Sequence, residues 1–127
     1  MKLQLTTRSE GLNVFTAYGE GCVDVNTTRY ANSIVVLPHR VIEAWTTTNF
    51  ASLSLADFEF LAALDAEIVL LGTGTQGAQL RFPHPALLQP LTQARKGFEV
   101  MDNHAVCRTY NVLAGEGRRA AAALVFA

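Results

Sequence analysis

Basic residues and cysteines are both scarce in this sequence, and each shortage excludes a class of function. Lys and Arg number 10 against 11 Asp and Glu, which leaves a formal net charge of −1 and no basic block. Because electrostatic attraction drives nucleic-acid binding, we expect no nucleic-acid partner. The two cysteines, Cys22 and Cys107, form neither a disulfide framework nor a zinc ligand set. Free thiols of this kind suit a reducing cytosol.

Long apolar runs are also missing. The longest covers residues 120–127, whereas a membrane-spanning helix needs about 20 residues. The opening stretch MKLQLTTRSEG has no apolar segment of the kind that a secretory signal peptide requires. We therefore expect a cytoplasmic protein without a membrane span. With 127 residues, half of them hydrophobic, the chain predicts one packed domain over residues 1–127.

The first part of the chain predicts β-strands. Five segments carry alternating or β-branched apolar residues, at residues 3–5, 14–18, 22–26, 33–38 and 40–45. From Ser54 onwards the apolar period becomes helical, and Ser54 with Asp57 forms a capping pattern. The apolar face of this helix is predicted to hold Leu55, Phe58, Leu61 and Ala62.

Two more helices are predicted among short strands. A strand over residues 67–71 precedes a helix that begins at Pro85 and is kinked by Pro90. A short, buried strand over residues 98–101 leads to a helix capped by Asp102, and a last strand follows. This order predicts an α/β fold of three layers, with helices on a mixed central sheet and an additional small β element.

The segment from Gly72 to Gly77 reads GTGTQG and fits the dinucleotide pattern G-x-G-x-x-G. A dinucleotide site also needs a helix that begins within the motif, so that its free amides meet the pyrophosphate. Pro83 and Pro85 follow closely, and the residue before a proline is disfavoured in helical geometry. We therefore predict a tight turn, a helix start near Pro85 and no cofactor. Asp102 alone favours the fingerprint, because it follows a strand where a ribose-binding acid belongs.

The carboxyl ends of the predicted strands define a candidate groove for a ligand or a partner, since open α/β sheets bind ligands there. Its expected residues are Gly72, Thr73, Gly74, Arg81, Asp102, Arg108 and Asn111. The helix start at Asp102 offers amides to a small anion, although Asp102 competes for them. Arg108 is equally compatible with a charge paired to Asp102 or Glu99. Arg81 is equally compatible with a loop charge packed over an aromatic ring.

Cys107 is a weak candidate for a catalytic residue. His104 lies three residues earlier on the same helix face, and a helix N-terminus lowers the pKa of a thiol. No third orienting group is apparent, and a cysteine among apolar neighbours is more often a core residue. His39 and His84 stand beside prolines without ligand spacing, so no metal site is predicted.

Trp45 and Phe50 flank the polar stretch TTTN. This arrangement is compatible with an exposed loop that contacts a partner, and equally with the edge of the core. An enzyme would gather titratable groups with shifted pKa values in one concave pocket. A binding module would instead expose an apolar or aromatic patch.

Two stretches together carry a family resemblance. Residues 70–83 and 97–124 combine GTG, RFP, a strand ending in MD, CRTYN and EGRR. This combination resembles the Mth-type family of unknown function, whose eukaryotic members include a mitochondrial assembly factor of respiratory complex I and an adipogenesis-associated protein. The resemblance covers essentially the whole chain, because SIVVLP and the Trp45 region also fall where the family has strands.

The resemblance implies a single α/β domain with a mixed sheet and an extra β element, and it supplies no enzymatic activity. The leading expectation is therefore a non-catalytic binding or assembly module that acts on protein partners, linked to respiratory-complex biogenesis. A homo-oligomer is compatible with it. The alternative is an anion-binding protein or a small enzyme that uses the predicted groove, since a shared fold does not transmit function.

Overall fold

The computed structural model describes residues 3–4, 11–46, 49–74 and 80–126 of the protein. The strands are β1 (Leu3–Gln4), β2 (Phe15–Gly19), β3 (Cys22–Val25), β4 (Thr28–Tyr30), β5 (Ile34–Leu37), β6 (Arg40–Glu43), β7 (Ile68–Gly72), β8 (Gly97–Met101) and β9 (Ala120–Leu124). The helices are α1 (Leu55–Ala62), α2 (Gln89–Gln93) and α3 (Asn103–Gly115), with short 3-10 helices at Phe50–Ser52 and Pro85–Leu88. Within these ranges no helix is long and apolar enough to span a bilayer.

The strands form two sheets. One is antiparallel and four-stranded, in the order β1-β2-β3-β4, and the other is five-stranded, in the order β6-β5-β9-β7-β8. In the larger sheet β5 is antiparallel to β6 and β9, whereas β7 is parallel to β8 and β9. The predicted mixed central sheet with a small additional β element is confirmed.

The central strand β9 consists of four alanines and Leu124, all fully buried. Ala120 and Ala122 face α3, whereas Ala121 and Ala123 face α1 and α2. A strand buried on both faces has a continuous apolar sequence, as here. Small side chains on both faces let the helices lie close to the sheet.

Two apolar cores lie on opposite faces of the five-stranded sheet. One is enclosed by α3 and the four-stranded sheet, where Phe15 meets Tyr110 edge to face with ring centroids 5.3 Å apart. The other is covered by α1 and α2 and contains Phe58, Leu61 and Leu91. These two cores produce the three-layer arrangement that the sequence predicts.

The start of α1 follows the predicted capping pattern, because the Ser54 N–H donates to the Asp57 carboxylate at 2.9 Å. Phe58 and Leu61 are buried as expected, but Leu55 is 47% exposed. Side chains on a helix point back toward its N-terminus. The side chain of the first helical residue therefore extends past the helix, and the predicted apolar face is wrong at this position.

The segment after Pro85 differs from the single kinked helix that the sequence predicts. A helix does begin at Pro85, but as the 3-10 turn Pro85–Leu88, and α2 then starts anew at Gln89. Pro90 lies in the first turn of α2. A proline there loses no intrahelical hydrogen bond, so it starts a helix instead of kinking one.

Two strand predictions also need correction. The strand predicted over residues 40–45 ends at Glu43, because Ala44 adopts a positive φ of 52°. The strand predicted as buried over residues 98–101 is β8, whose side chains are exposed or half-buried. In the part of the chain that the structure describes, β8 is an edge strand that pairs only with β7, and it therefore has fewer neighbours than a central strand.

Candidate functional site

The carboxyl ends of β7 and β8 meet at one edge of the sheet, beside the start of α3. The Thr73 N–H donates to the Met101 carbonyl at 3.1 Å. The Asn103 N–H donates to the Gly74 carbonyl at 2.9 Å. The structure therefore brings Thr73 and Gly74 together with the helix that Asp102 precedes.

Asn103 is a residue at this edge that sequence reasoning missed. It is only 2% exposed, its Oδ1 accepts the Gly74 N–H at 3.2 Å, and its Nδ2 donates to the Val125 carbonyl at 2.9 Å. We call this set of contacts the Asn103 clamp; it joins the ends of β7 and β9 to the start of α3. In the sequence Asn103 is only a polar residue next to the helix cap Asp102, and polar residues at such positions are usually exposed to solvent.

The first two glycines of the GTGTQG motif make the contacts of the Asn103 clamp possible. A Cβ on Gly72 would lie 2.2 Å from Asn103 Oδ1 and 2.7 Å from Leu124 Cδ2, so no side chain fits. Gly74 has a φ of +125°, which other residues rarely adopt. Gly74 is not helical, and the next described helix begins at Pro85, as predicted. Gln76 and Gly77 lie outside the described residues.

The amides at the start of α3 are bonded within the fold. The Asn103 N–H donates to the Gly74 carbonyl, and the Ala105 N–H donates to the Asp102 carboxylate at 2.9 Å. The predicted capping role of Asp102 is confirmed. Two of the donors that would hold an anion at a helix start are therefore already satisfied.

Arg81 holds the segment that follows the glycine motif. Its guanidinium donates to the Thr73 carbonyl and lies over the Phe50 ring, 4.8 Å from the centroid. The interpretation of Arg81 as a charge packed over an aromatic ring is confirmed. These contacts fasten residues 80–84 to the sheet edge and to the 3-10 helix before α1.

Arg108 and Asn111 are not brought to this edge. Arg108 donates to the Tyr18 hydroxyl at 3.0 Å instead of pairing with Asp102 or Glu99. The Asn111 side chain donates to the Phe15 carbonyl at 2.8 Å and accepts the Phe15 N–H at 2.9 Å. Both residues join α3 to β2, because α3 leads away from the strand ends.

Cys107 is fully buried in the core between α3 and the sheets. Burial raises the pKa of the Cys107 thiol well above its ordinary value, and a neutral thiol is a poor nucleophile. The His104 ring stacks on Tyr18 with centroids 4.0 Å apart, and its Nε2 lies 3.2 Å from the Gly19 carbonyl oxygen. In the described part of the chain, no three or more His, Cys, Asp and Glu side chains group together around a metal-sized space. These observations favour the core interpretation of Cys107.

We expect Cys107 to resist thiol reagents in the folded protein, whereas Cys22, which is only half-buried, reacts first. Cys107→Ala should lower the free energy of unfolding by about 1–2 kcal/mol, because it removes a buried group. Cys22→Ala is the matched control and should change it by less than about 0.5 kcal/mol. Rapid labelling of Cys107 under native conditions would contradict the buried assignment.

The raised pKa of Cys107 also predicts a pH dependence. Above pH 9.0, the ordinary thiol value, the unfolded chain releases this proton while the folded chain retains it. The contribution to stability is therefore complete below that pH and is lost as the pH rises, by up to about 1.4 kcal/mol per pH unit. Unfolding measured between neutral and alkaline pH should show a shallower decline in Cys107→Ala than in Cys22→Ala.

A cleft of about 660 Å³ lies at the opposite end of the sheet, near the amino ends of β7 and β9. Arg118, Arg119 and Asp65 line it. Arg118 pairs with Glu67 at 3.1 Å and Arg119 with Asp65 at 2.6 Å, and all four side chains are largely exposed. Two of the basic groups of the cleft, Arg118 and Arg119, are therefore already paired with carboxylates.

Apolar side chains are exposed on the segment that Arg81 fastens. Phe82 is 68% exposed and Leu80 is 39% exposed. They flank Arg81, whose own side chain is half-buried against Phe50. Leu80 and Phe82 form what we call the apolar edge surface.

Phe60 on α1 is a further exposed aromatic residue, and it is connected to the same strand ends through Trp45. It is 37% exposed and stacks on Trp45 with ring centroids 6.5 Å apart. The Trp45 indole Nε1–H donates to the carbonyl of Leu124, which is paired with Gly72. Trp45 is itself buried, so of the two alternatives the edge of the core holds for this residue, and the aromatic face that reaches solvent belongs to Phe60. Thr47 and Thr48 lie outside the described residues.

A family model described as a protein of unknown function (DUF498/DUF598) matches residues 15–125. The match spans most of the chain, and the protein belongs to this family. Its sheet order, glycine turn and capped third helix are therefore features of a family member.

Similar proteins agree with this assignment. The chain is 34% identical over 93 residues to the NADH dehydrogenase (ubiquinone) 1 alpha subcomplex assembly factor 3 of Mus musculus, over 72% of this chain and 48% of that protein. It thus spans about half the length of that relative. A crystal structure of a Bordetella parapertussis protein has 32% identity and a TM-score of 0.82, over 94% of this chain and 100% of that one.

A solution structure from Bordetella pertussis, described as a Mth938-like domain, has 30% identity and a TM-score of 0.78. The similarity covers 97% of this chain and 92% of that domain. The predicted Mth-type family and fold are therefore confirmed.

Proposed function

We propose that this protein is a non-catalytic binding module that assists the assembly of a protein complex, and that it holds its partner at the apolar edge surface. The observation that carries this proposal is the 68% exposure of Phe82. Apolar groups that are exposed together mark interaction sites, and aromatic side chains dominate the binding energy of interfaces.

The edge surface is held in place before any partner arrives. Arg81 is fixed by the Thr73 carbonyl and the Phe50 ring, and Thr73 is only 4% exposed. A segment fixed in this way loses little conformational freedom on binding. This pre-organisation supports a binding role for Leu80 and Phe82.

The assembly role rests on similarity to the mouse assembly factor. A link to respiratory-complex biogenesis, a single domain over residues 1–127 and a cytoplasmic location belong to the same proposal. Both cysteines are free, which agrees with a reducing compartment. The chain spans about half of the mouse protein, so its partner has to be identified directly.

The alternative, a small enzyme or anion-binding protein at the same strand ends, has weaker support. Among the described residues, the two groups with strongly raised pKa values are Cys107 and Tyr110, and burial in the core is the main cause in both. The Tyr110 hydroxyl donates to the Asn13 carbonyl at 3.0 Å, and the Cys107 thiol lies in the core between α3 and the sheets. Two amides at the start of α3 are also occupied.

The proposal predicts that Phe82→Ser weakens partner binding at least about tenfold, because a buried aromatic anchor contributes 2 kcal/mol or more. A photo-crosslinking amino acid at position 82, expressed in the native host, should capture the partner for identification. Binding of the purified partner is then measured by calorimetry. The matched control is Val112→Ser, since Val112 is also apolar and 60% exposed but lies on α3.

Both variants should keep the stability of the parent within about 0.5 kcal/mol, because the side chains are exposed. Equal affinity of Phe82→Ser and the parent for the captured partner would refute the proposed surface. Turnover of a small molecule that depends on Thr73 or Asp102 would instead favour the enzyme alternative.

A further inference from the structure

Among the described residues, none pairs with the outer side of β8 in the five-stranded sheet. β8 pairs there with β7 alone, in a regular parallel register over its whole length. The Gly97 N–H donates to the Glu67 carbonyl at 2.9 Å, and the Met101 carbonyl accepts the Thr73 N–H at 3.1 Å. These contacts identify the backbone groups of β8 that face inward.

Alternate residues of a strand present their backbone groups to the same neighbour. Gly97 and Met101 face β7, so Glu99 between them does as well. The N–H and C=O groups of Phe98 and Val100 therefore point outward, away from the sheet. The open edge offers two donors and two acceptors in the spacing that an additional strand requires.

This edge has little of the usual protection against pairing. Natural edge strands are protected by charged side chains, lysine above all, by proline or by a bulge. Residues 97–101 read GFEVM, and their pairing with β7 has no shift in register. Glu99 is the single charge, and it is exposed at the middle of the strand.

The charge of Glu99 distinguishes two possible partners for β8, which are a second copy of this chain and a segment of another protein. If a second copy paired symmetrically through Phe98 and Val100, each Glu99 would face its counterpart at a Cα distance of roughly 4.5 Å. Like charges directly opposite destabilise a strand pair, whereas opposite charges stabilise it. A basic residue is therefore preferred opposite Glu99.

We propose that the β8 edge binds an extended segment of a partner protein as a sixth strand, with a Lys or Arg facing Glu99. This site is separate from the apolar edge surface and does not depend on it. Main-chain hydrogen bonds to Phe98 and Val100 supply the affinity, and the charge of Glu99 supplies the selectivity.

The test uses two blocked seven-residue peptides of alternating Thr and Val, one with Lys and one with Glu at the centre. In nuclear magnetic resonance titrations of the full chain, the Lys peptide should shift the amide signals of Phe98 and Val100. The Glu peptide should bind about threefold more weakly, in line with the energy of a cross-strand charge pair. Glu99→Lys should reverse this preference.

Val100→Pro removes an outward N–H without removing a hydrogen bond to β7, and it should abolish binding of the Lys peptide. If that variant fails to fold, the Glu99→Lys reversal still decides the outcome. Phe82→Ser, which alters the other surface, should leave peptide binding unchanged. Absence of shifts at millimolar peptide, shifts confined to other strands, or equal binding of both peptides would overturn the proposal.

Discussion

Replacement of Asn103 by alanine is expected to lower the free energy of unfolding by about 3 kcal/mol, as measured by urea denaturation. The side chain is 2% exposed and joins the Gly74 N–H to the Val125 carbonyl. Alanine leaves both backbone groups buried without partners, and each unsatisfied group costs about 1–3 kcal/mol. The loss should therefore be large for a single polar residue.

Asn32→Ala is the matched control, because Asn32 is exposed. It should change the free energy of unfolding by less than about 0.5 kcal/mol. If Asn103→Ala were as stable as this control, the Asn103 clamp would have no structural importance.

Gly72→Ala is expected to destabilise the protein by about 3 kcal/mol, since overpacking and loss of a buried hydrogen bond add together. The new Cβ would lie 2.2 Å from Asn103 Oδ1 and 2.7 Å from Leu124 Cδ2. Thermal and urea unfolding measure the effect. Gly115→Ala is the matched control, because nothing lies within 4 Å of its Cβ position, and it should be neutral or stabilising.

A double-mutant cycle tests whether Gly72 is required because of Asn103. In the Asn103→Ala background the closest obstacle to an alanine at position 72 is gone, and the Leu124 methyl group can rotate away. The losses in unfolding free energy of the two single variants should therefore add up to at least about 1 kcal/mol more than the loss measured for the double variant. Strict additivity would show that the glycine is needed for another reason.

The order of elements could be predicted from the sequence because its signals are local. The capping pair Ser54 and Asp57 lies within one turn, as does Asp102 with the Ala105 amide that it caps. The Gly72–Gly74 turn and the start of α3 both follow the carboxyl ends of predicted strands, and this predicts that they lie next to each other. These parts of the fold depend on neighbours in the chain.

The remaining contacts could not be predicted, because they join residues far apart in the sequence. Asn103 bonds to residues 29 and 22 positions away, and Asn111 bonds to Phe15 across 96 positions. Arg108 and Asn111 were assigned to the strand ends because the direction of α3 is not encoded locally. Each residue along a helix advances about 1.5 Å, so both lie well away from the turn.

The edge position of β8 could not be predicted from the sequence either. Phe98, Val100 and Met101 are apolar around the single charge of Glu99, and a short, mostly apolar segment of this kind is found in central and in edge strands. Which strand lies at the edge depends on the pairing of β7 with β9, and β9 is far away in the chain. Sequence therefore indicates a strand at this position without indicating its number of neighbours.

The alanine-rich β9 has a consequence for how the protein is made. It lies between β5 and β7, yet it follows both of them in the chain. Alanine has little intrinsic preference for extended structure, so β9 depends on its two neighbours to become a strand. We therefore expect the two halves of the larger sheet to stay apart on the ribosome until residues 120–124 have emerged. During that interval each half should expose an unpaired apolar strand, and a chaperone should then protect most against aggregation.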